Sequence, residues 1–248
     1  MEKLKAENIT VSYNGENTIE DINIHLDEGE IVSLLGVSGS GKTTLFNILS
    51  GLMIPDCGRV LLDGENITGK SGEMSYMLQK DLLQPHYTVL DNVALPLIIK
   101  GEKKKIAREK ALEHFAFFGL EGTEKKYPHE LSGGMRQRAA FLRTYLASDA
   151  VALLDEPFSA LDTITKSAVH QWYLDIMEKI KLSSLIVTHD IDEAILLSDR
   201  IYILSGKPGR ISDEIIVDLP KPRNNSLTMS EEFLTYKRKI VEKIAMGL

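Results

Sequence analysis

The sequence predicts an α/β protein in which a parallel sheet, a small antiparallel sheet and a helical insert share one chain. Three observations carry this. Short apolar runs at Glu30–Leu35, Val151–Leu154 and Leu185–Thr188 read as buried parallel strands, and the later two flank a helical pattern. Residues 4–12 and 19–27 alternate apolar and polar around Asn14-Gly15-Glu16-Asn17, which is a hairpin pattern. From about Asp91 to Ala147 the reading is mainly helical.

Taken in order, Arg59–Leu62 followed by Asp63-Gly64 adds another hairpin element to the first third. Lys103 to Phe118 reads as one helix, with Ile106, Ala107, Ala111, Leu112 and Phe115 at helical spacing and Gly119 as its stop. A helix is predicted over Thr163–Ile180, a short one over Ile191–Leu197, and a strand over Arg200–Leu204. From Ser230 a charged helical tail sets Phe233, Tyr236, Ile240 and Ile244 on one stripe. The expected division is a main domain over 1–220, with a helical subdomain at about 80–147, and a C-terminal helical tail over 221–248.

Bulk properties narrow the class. A net charge of −7 across 248 residues argues against a general nucleic-acid binder, which displays a basic surface. Cys57 is the only cysteine, so neither an intrachain disulfide nor a cysteine metal cluster is available, as suits a reducing compartment. The first residues lack the apolar core of a secretory signal, and apolar runs such as Val93–Ile99 fall far short of the roughly 20 residues a membrane span needs. The expectation is a cytoplasmic protein that reaches a membrane only through a partner.

Chemistry concentrates in Gly36-Val37-Ser38-Gly39-Ser40-Gly41-Lys42-Thr43-Thr44, which fits the G-x-x-x-x-G-K-[ST] phosphate loop between a strand and a helix start. Glycines let successive N–H groups point inward, and the helix N-terminus adds the positive end of its dipole. Lys42 can then reach the β- and γ-phosphates of a nucleoside triphosphate, and Thr43 can coordinate Mg²⁺. The apolar run at Val151 ends in Asp155-Glu156. Asp155 is placed to join the Mg²⁺ shell, and Glu156 to polarise the attacking water. A second anion-binding segment, Ser132-Gly133-Gly134, offers a helix N-cap and exposed N–H groups about 90 residues further on. Two copies of the chain arranged head to tail would satisfy both segments. The sheet pattern together with this loop predicts a RecA-like P-loop core.

Leu131-Ser132-Gly133-Gly134-Met135 resembles the signature sequence of the nucleotide-binding subunits of ATP-binding cassette (ABC) transporters, with Met135 as a variant fifth residue, and the likeness covers about residues 1–220 in uninterrupted order. It implies an ATPase acting as a sandwich dimer, with ATP and Mg²⁺ held between the phosphate loop of one copy and Ser132-Gly133-Gly134 of the other. It further implies that Tyr13 stacks on adenine, though a strand aromatic in the core reads equally well from the residues alone. Gln79, in Met77-Leu78-Gln79-Lys80-Asp81, matches the Q-loop, which senses Mg²⁺ and contacts the membrane partner. Asp162, in Ser159-Ala160-Leu161-Asp162, matches the D-loop at the dimer interface. His189 matches the switch histidine at the γ-phosphate. The implied partners are integral-membrane permease subunits and a solute-binding protein, with the chain held at the cytoplasmic face of the membrane.

Asp218-Leu219-Pro220-Lys221-Pro222-Arg223 is similar to the tail of the nitrate, sulfonate, taurine and thiamine-precursor importer group, although Pro85-His86 stands where that group often has Pro-Trp. A lipid or lipoprotein exporter subunit, or a non-transport ABC ATPase, is the alternative. The first is disfavoured by the Pro-x-Pro-Arg tail, and a chromosome or repair ATPase by the absence of a long heptad insertion.

Overall fold

A computed structural model describes residues 1–148 and 150–246. Strand β1 (Glu2–Tyr13) turns through Asn14-Gly15 into β2 (Glu16–Asp27). Both turn residues have positive φ, 53° and 84°, as a two-residue I′ hairpin requires. β1 also pairs with β4 (Cys57–Leu62), which returns through Asp63-Gly64 to the short β5 (Glu65–Asn66). This antiparallel sheet has the order β2-β1-β4-β5.

The larger sheet contains β3 (Ile31–Gly36), β6 (Ser75–Met77), β7 (Val151–Asp155), β8 (Ser183–Thr188), β9 (Arg200–Ser205) and β10 (Arg210–Ile216) in the order β10-β9-β3-β8-β7-β6. All neighbours are parallel except β9 and β10. Every residue of β3, β7 and β8 is buried, because the sheet is covered on both faces. Alternation sends Val32, Leu34, Leu153, Leu185 and Val187 toward the antiparallel sheet and α1 (Lys42–Leu49). Ile31, Leu35, Ala152, Leu154 and Ile186 pack instead with the remaining helices. This is a RecA-like P-loop core with an antiparallel lobe.

Between β6 and β7 lie α2 (Val89–Ile99), α3 (Lys104–Glu113), a 3-10 turn at Pro128–Glu130 and α4 (Gly133–Ala147). The single helix expected from Lys103 to Phe118 is corrected here: α3 ends at Glu113. The chain tightens at that point, with His114 N–H donating to Ala111 O and Phe115 N–H to Leu112 O, the pattern of a closing 3-10 turn. Phe115 and Phe118 are buried all the same, and Phe118 packs among Phe141, Tyr145 and Trp172. Their spacing therefore reported burial, not helix continuity. The region from 91 to 147 is mainly helical, as expected, except across 114–132, where turns and irregular stretches surround the 3-10 segment.

The chain then runs through α5 (Thr163–Ile180) and α6 (Ile191–Leu197) to α7 (Glu231–Met246). Phe233 and Ile240 of α7 are buried in the same cluster as β3, with Tyr236 and Ile244 partly buried against it. Residues 247–248 of the expected tail lie outside the described residues. Among the described residues no helix is long and apolar enough to cross a membrane. A last feature joins the sheets near the phosphate loop. Gly209 N–H donates to Thr18 O, and Glu20 N–H to Gly209 O, both at 2.9 Å. A Cβ on Gly209 would lie 2.1 Å from Ser40 O.

Candidate nucleotide site

β3 delivers the chain to Gly36, and α1 begins after Gly41. Gly41 has φ +99°, and a Cβ there would stand 2.3 Å from Ile19 Cγ2. Backbone angle and close approach both select glycine. α1 starts with no side-chain cap and no acidic residue in its first turn, so its leading N–H groups have no competitor for an anion. Lys42 Nζ donates to Gly36 O and Val37 O, each at 2.8 Å. Burial pushes the Lys42 pKa down, against the pull of Glu156 and Asp155. Ser38 and Gly39 are exposed on the loop, whereas Ser40 is buried with a hydroxyl that finds no partner.

Asp155 closes β7 and is buried. Its Oδ2 accepts from Tyr76 Oη at 3.3 Å, yet burial still pushes the carboxyl up. Glu156 follows with φ +44°, a left-handed conformation that costs a non-glycine residue about 1–3 kcal/mol. Its N–H donates to Val187 O at 3.0 Å. Glu156 Oε2 accepts from Gln79 Nε2 at 3.2 Å, and Oε1 lies 3.2 Å from His189 Nδ1. Gln79 also reaches Ser159 Oγ at 3.4 Å.

These groups surround a cleft of about 580 Å³ bounded by Thr18, Ser38, Gly39, Gly41, Lys42, Thr43, Thr44, Gln79, Glu156 and His189. Several expected site residues lie outside its lining. Tyr13 ends β1 half-exposed, its hydroxyl 3.1 Å from Met53 Sδ. Ser132 caps α4, accepting from Met135 N–H at 3.3 Å. Gly133 and Gly134 open that helix, and a Cβ on Gly134 would press on Thr165 Cγ2 and Val169 Cγ2 of α5 at 3.1 and 3.2 Å. Asp162 caps α5 through Ile164 and Thr165 N–H.

Other residues of the site escaped the sequence reading. Thr18 is an ordinary alternating strand residue, and Tyr76 reaches Asp155 only through the β6–β7 pairing. Arg143 of α4 donates to the carbonyls of Asp81 and Leu82, and Arg136 lies 3.4 Å from Asp81. Together they hold the segment that follows Gln79. Backbone carbonyls as acceptors leave no mark in a sequence.

The residues present suit a nucleoside triphosphate and a divalent cation. The uncapped helix start, the buried Lys42 side chain and the orphaned Ser40 hydroxyl suit an anion, while the buried Asp155 carboxylate suits a cation. Fold and site define a P-loop nucleotide-hydrolysing protein.

The comparisons agree. The ABC transporter family model matches residues 19–159. The formylaminopyrimidine import ATP-binding protein ThiZ of Halalkalibacterium halodurans is 43% identical over 242 residues, covering 96% of this chain and 95% of the relative. The aliphatic sulfonates import ATP-binding protein SsuB of Bacillus cereus is 42% identical over 229 residues, 92% and 89% of the two chains. An ATP-binding cassette solved as a dimer in a post-hydrolysis state with ADP and phosphate matches with a TM-score of 0.73 at 31% identity, covering 88% of this chain and 100% of its own. The chain belongs to the ABC transporter family, as one of its ATP-binding, ATP-hydrolysing subunits.

Proposed function

We propose that this ATPase powers an importer, and that each ATP is held between Gly36–Thr44 of one copy and Ser132-Gly133-Gly134 of a second, head-to-tail copy. The observation that carries this is the position of Ser132. It stands exposed at the start of a helix with no acidic residue in its first turn, outside the cleft its own chain forms. A similar cassette solved as a dimer supports the pairing of two copies.

In this reading the loop N–H groups and Lys42 bind the β- and γ-phosphates, with Ser38, Gly39, Ser40, Gly41 and Thr44 shaping the cradle. Thr43, Asp155 and Gln79 would hold Mg²⁺, which when bound neutralises phosphate charge. Glu156 takes a proton from the attacking water. His189 orients the γ-phosphate side, Asp162 meets the second copy, and Tyr13 stacks on adenine. Contacts of each nucleotide to both copies hold the dimer closed, and losing the terminal phosphate releases it.

The permease subunits of the membrane dock on the helical subdomain at about 80–147, around Gln79 to Ile99, placing the chain peripherally at the cytoplasmic face. The remainder to 220 forms the nucleotide-binding domain, and 221–248 forms the tail. A solute-binding protein completes the importer. The similarity to ThiZ and SsuB supports a small anionic or heterocyclic solute, a sulfonate or a thiamine precursor, with taurine and nitrate as the further members of that class.

The decisive experiment mixes Lys42→Ala with Ser132→Arg chains. A shared site leaves one of the two sites in each mixed dimer intact, so ATPase activity rises above that of either parent. No gain in dimers shown to be mixed overturns the shared site. Reconstitution with the permease and solute-binding protein, scoring ATPase stimulation by sulfonates against pyrimidine precursors and nitrate, identifies the solute.

A further inference from the structure

The corner that carries His189 is tied to α5 by a partly buried charge cluster. Glu193 of α6 is 3% exposed and lies 2.9 Å from Lys166 Nζ and 3.2 Å from His170 Nε2. Lys166 Nζ also donates to Asp190 Oδ2 at 2.7 Å. The other oxygen of Asp190 caps α6, accepting from Asp192 N–H at 3.0 Å and Glu193 N–H at 3.2 Å. Asp190 N–H in turn donates to Thr188 Oγ1 at 3.0 Å. The residue after His189 is therefore fixed on both sides, and the only lysine in the cluster comes from the first turns of α5.

That part of α5 has other duties. It starts at the Asp162 cap, and Thr165 and Val169 abut Gly134 of α4. His170, one turn beyond Lys166, packs edge-on against Phe158 with ring centroids 4.8 Å apart, two residues past Glu156. Removing the Lys166 charge would leave the Asp190 and Glu193 carboxylates facing one another with no fixed cation between them, an arrangement that relaxes by moving apart.

We infer that Lys166 is a positioning residue of the ATPase reaction: it locks the His189–Asp190 corner to α5, so that displacement of α5 at Asp162 or Gly134 moves His189 at the cleft. This rests on the reading that His189 serves the terminal phosphate. Lys166 touches no reacting atom and acts only through the corner. A bridge of purely structural value would change unfolding and leave turnover at low temperature untouched.

The test is a double-mutant cycle between Lys166→Met and His189→Ala, measured well below the melting temperature of each variant, with kcat, nucleotide Kd and Tm recorded for all. Lys166→Met is expected to lower kcat between about 10- and 100-fold, the scale on which a 1 Å misplacement acts, while the nucleotide Kd stays within about twofold. Lys166→Arg recovers most of the loss. In the His189→Ala background Lys166→Met lowers kcat no further, because residues acting as a unit are not additive. Asp190→Asn, which keeps a capping oxygen but removes the ion pair, shows the same pattern and serves if Lys166→Met does not fold. An unchanged kcat in Lys166→Met or Asp190→Asn overturns the proposal, as does a full further loss in the His189→Ala background. An unchanged kcat in His189→Ala alone removes the underlying reading of His189, and the proposal with it.

Discussion

His189 Nδ1 lies 3.2 Å from Glu156 Oε1, at the edge of the cleft that the phosphate loop lines. On its other oxygen Glu156 receives the Gln79 amide, so one carboxylate gathers groups from two loops other than its own. Its left-handed backbone (φ +44°) is the kind of local strain that persists where the surrounding structure enforces it.

Replacing Glu156 by Gln keeps the size and one acceptor oxygen but removes the proposed base. ATP binding is expected to survive while turnover falls by about 10²–10⁴-fold. Phosphate release under saturating ATP measures this, and wild-type turnover in the variant would sink the assignment of the base.

Gly41 and Gly39 separate two costs of adding a methyl group. Both have positive φ, but only at Gly41 does a Cβ collide, with Ile19 Cγ2, while nothing lies within 4 Å of one at Gly39. Gly39→Ala is expected to lose about 1 kcal/mol from the backbone alone. Gly41→Ala should lose more, about 2–3 kcal/mol, because overpacking adds to the strain. Urea midpoints of the nucleotide-free chains give the comparison, and equal losses would contradict it.

Arg223 ends the Leu-Pro-Lys-Pro-Arg stretch, and its side chain is 3% exposed. Nη1 donates to Ser198 O at 2.5 Å, and Nη2 to Val217 O at 2.9 Å and Asp199 Oδ1 at 3.2 Å. Arg223→Met orphans those carbonyls. Asp199 keeps Lys221 at 2.7 Å, so the loss falls near the lower end of the range for a broken buried pair, about 3 kcal/mol. Arg223→Lys should recover little, since an ammonium lacks the planar fork. Nucleotide affinity measured well below the melting temperature is expected to be unaffected, because none of these residues lines the cleft.

Acid should find the Asp190 pair. Burial works to raise this carboxyl, but hydrogen bonds from Lys166 and the Glu193 N–H outweigh it and hold the pKa below the ordinary value. An acid depressed in the folded state contributes stability above its unfolded pKa, about 3.9, and loses it as pH falls through the folded value. Between about pH 5 and 3 the wild type should therefore lose stability more steeply than Asp190→Asn. Parallel curves of unfolding free energy against pH would exclude a depressed Asp190.

Much of this site was legible because its chemistry is local. Gly36–Thr44 sits between a wholly buried strand and a helix, Asp155-Glu156 ends an apolar strand, and Ser132 and Asp162 are helix caps whose side-chain type announces them. The rest depends on contacts distant in sequence. Thr18 reaches the cleft because β2 passes over the loop, and Arg143 reaches carbonyls 61 and 62 residues away. The end of α3 was misplaced because buried phenylalanines in tight turns mimic helical spacing. Periodicity reports which side chains go inward, and it leaves the path of the backbone between them open.

The bridge between Ile19 and Gly209 ties the phosphate loop to a turn distant in sequence. Gly209 sits on the turn between the last two strands, 169 residues after Ser40, yet a Cβ on it would stand 2.1 Å from the Ser40 carbonyl oxygen, and the neighbouring Ile19 occupies the space a side chain on Gly41 would need. A side chain at Gly209 would therefore press on the phosphate loop without altering any residue of that loop. The shape of the phosphate loop thus depends on a residue far outside its own motif, which the motif alone does not reveal.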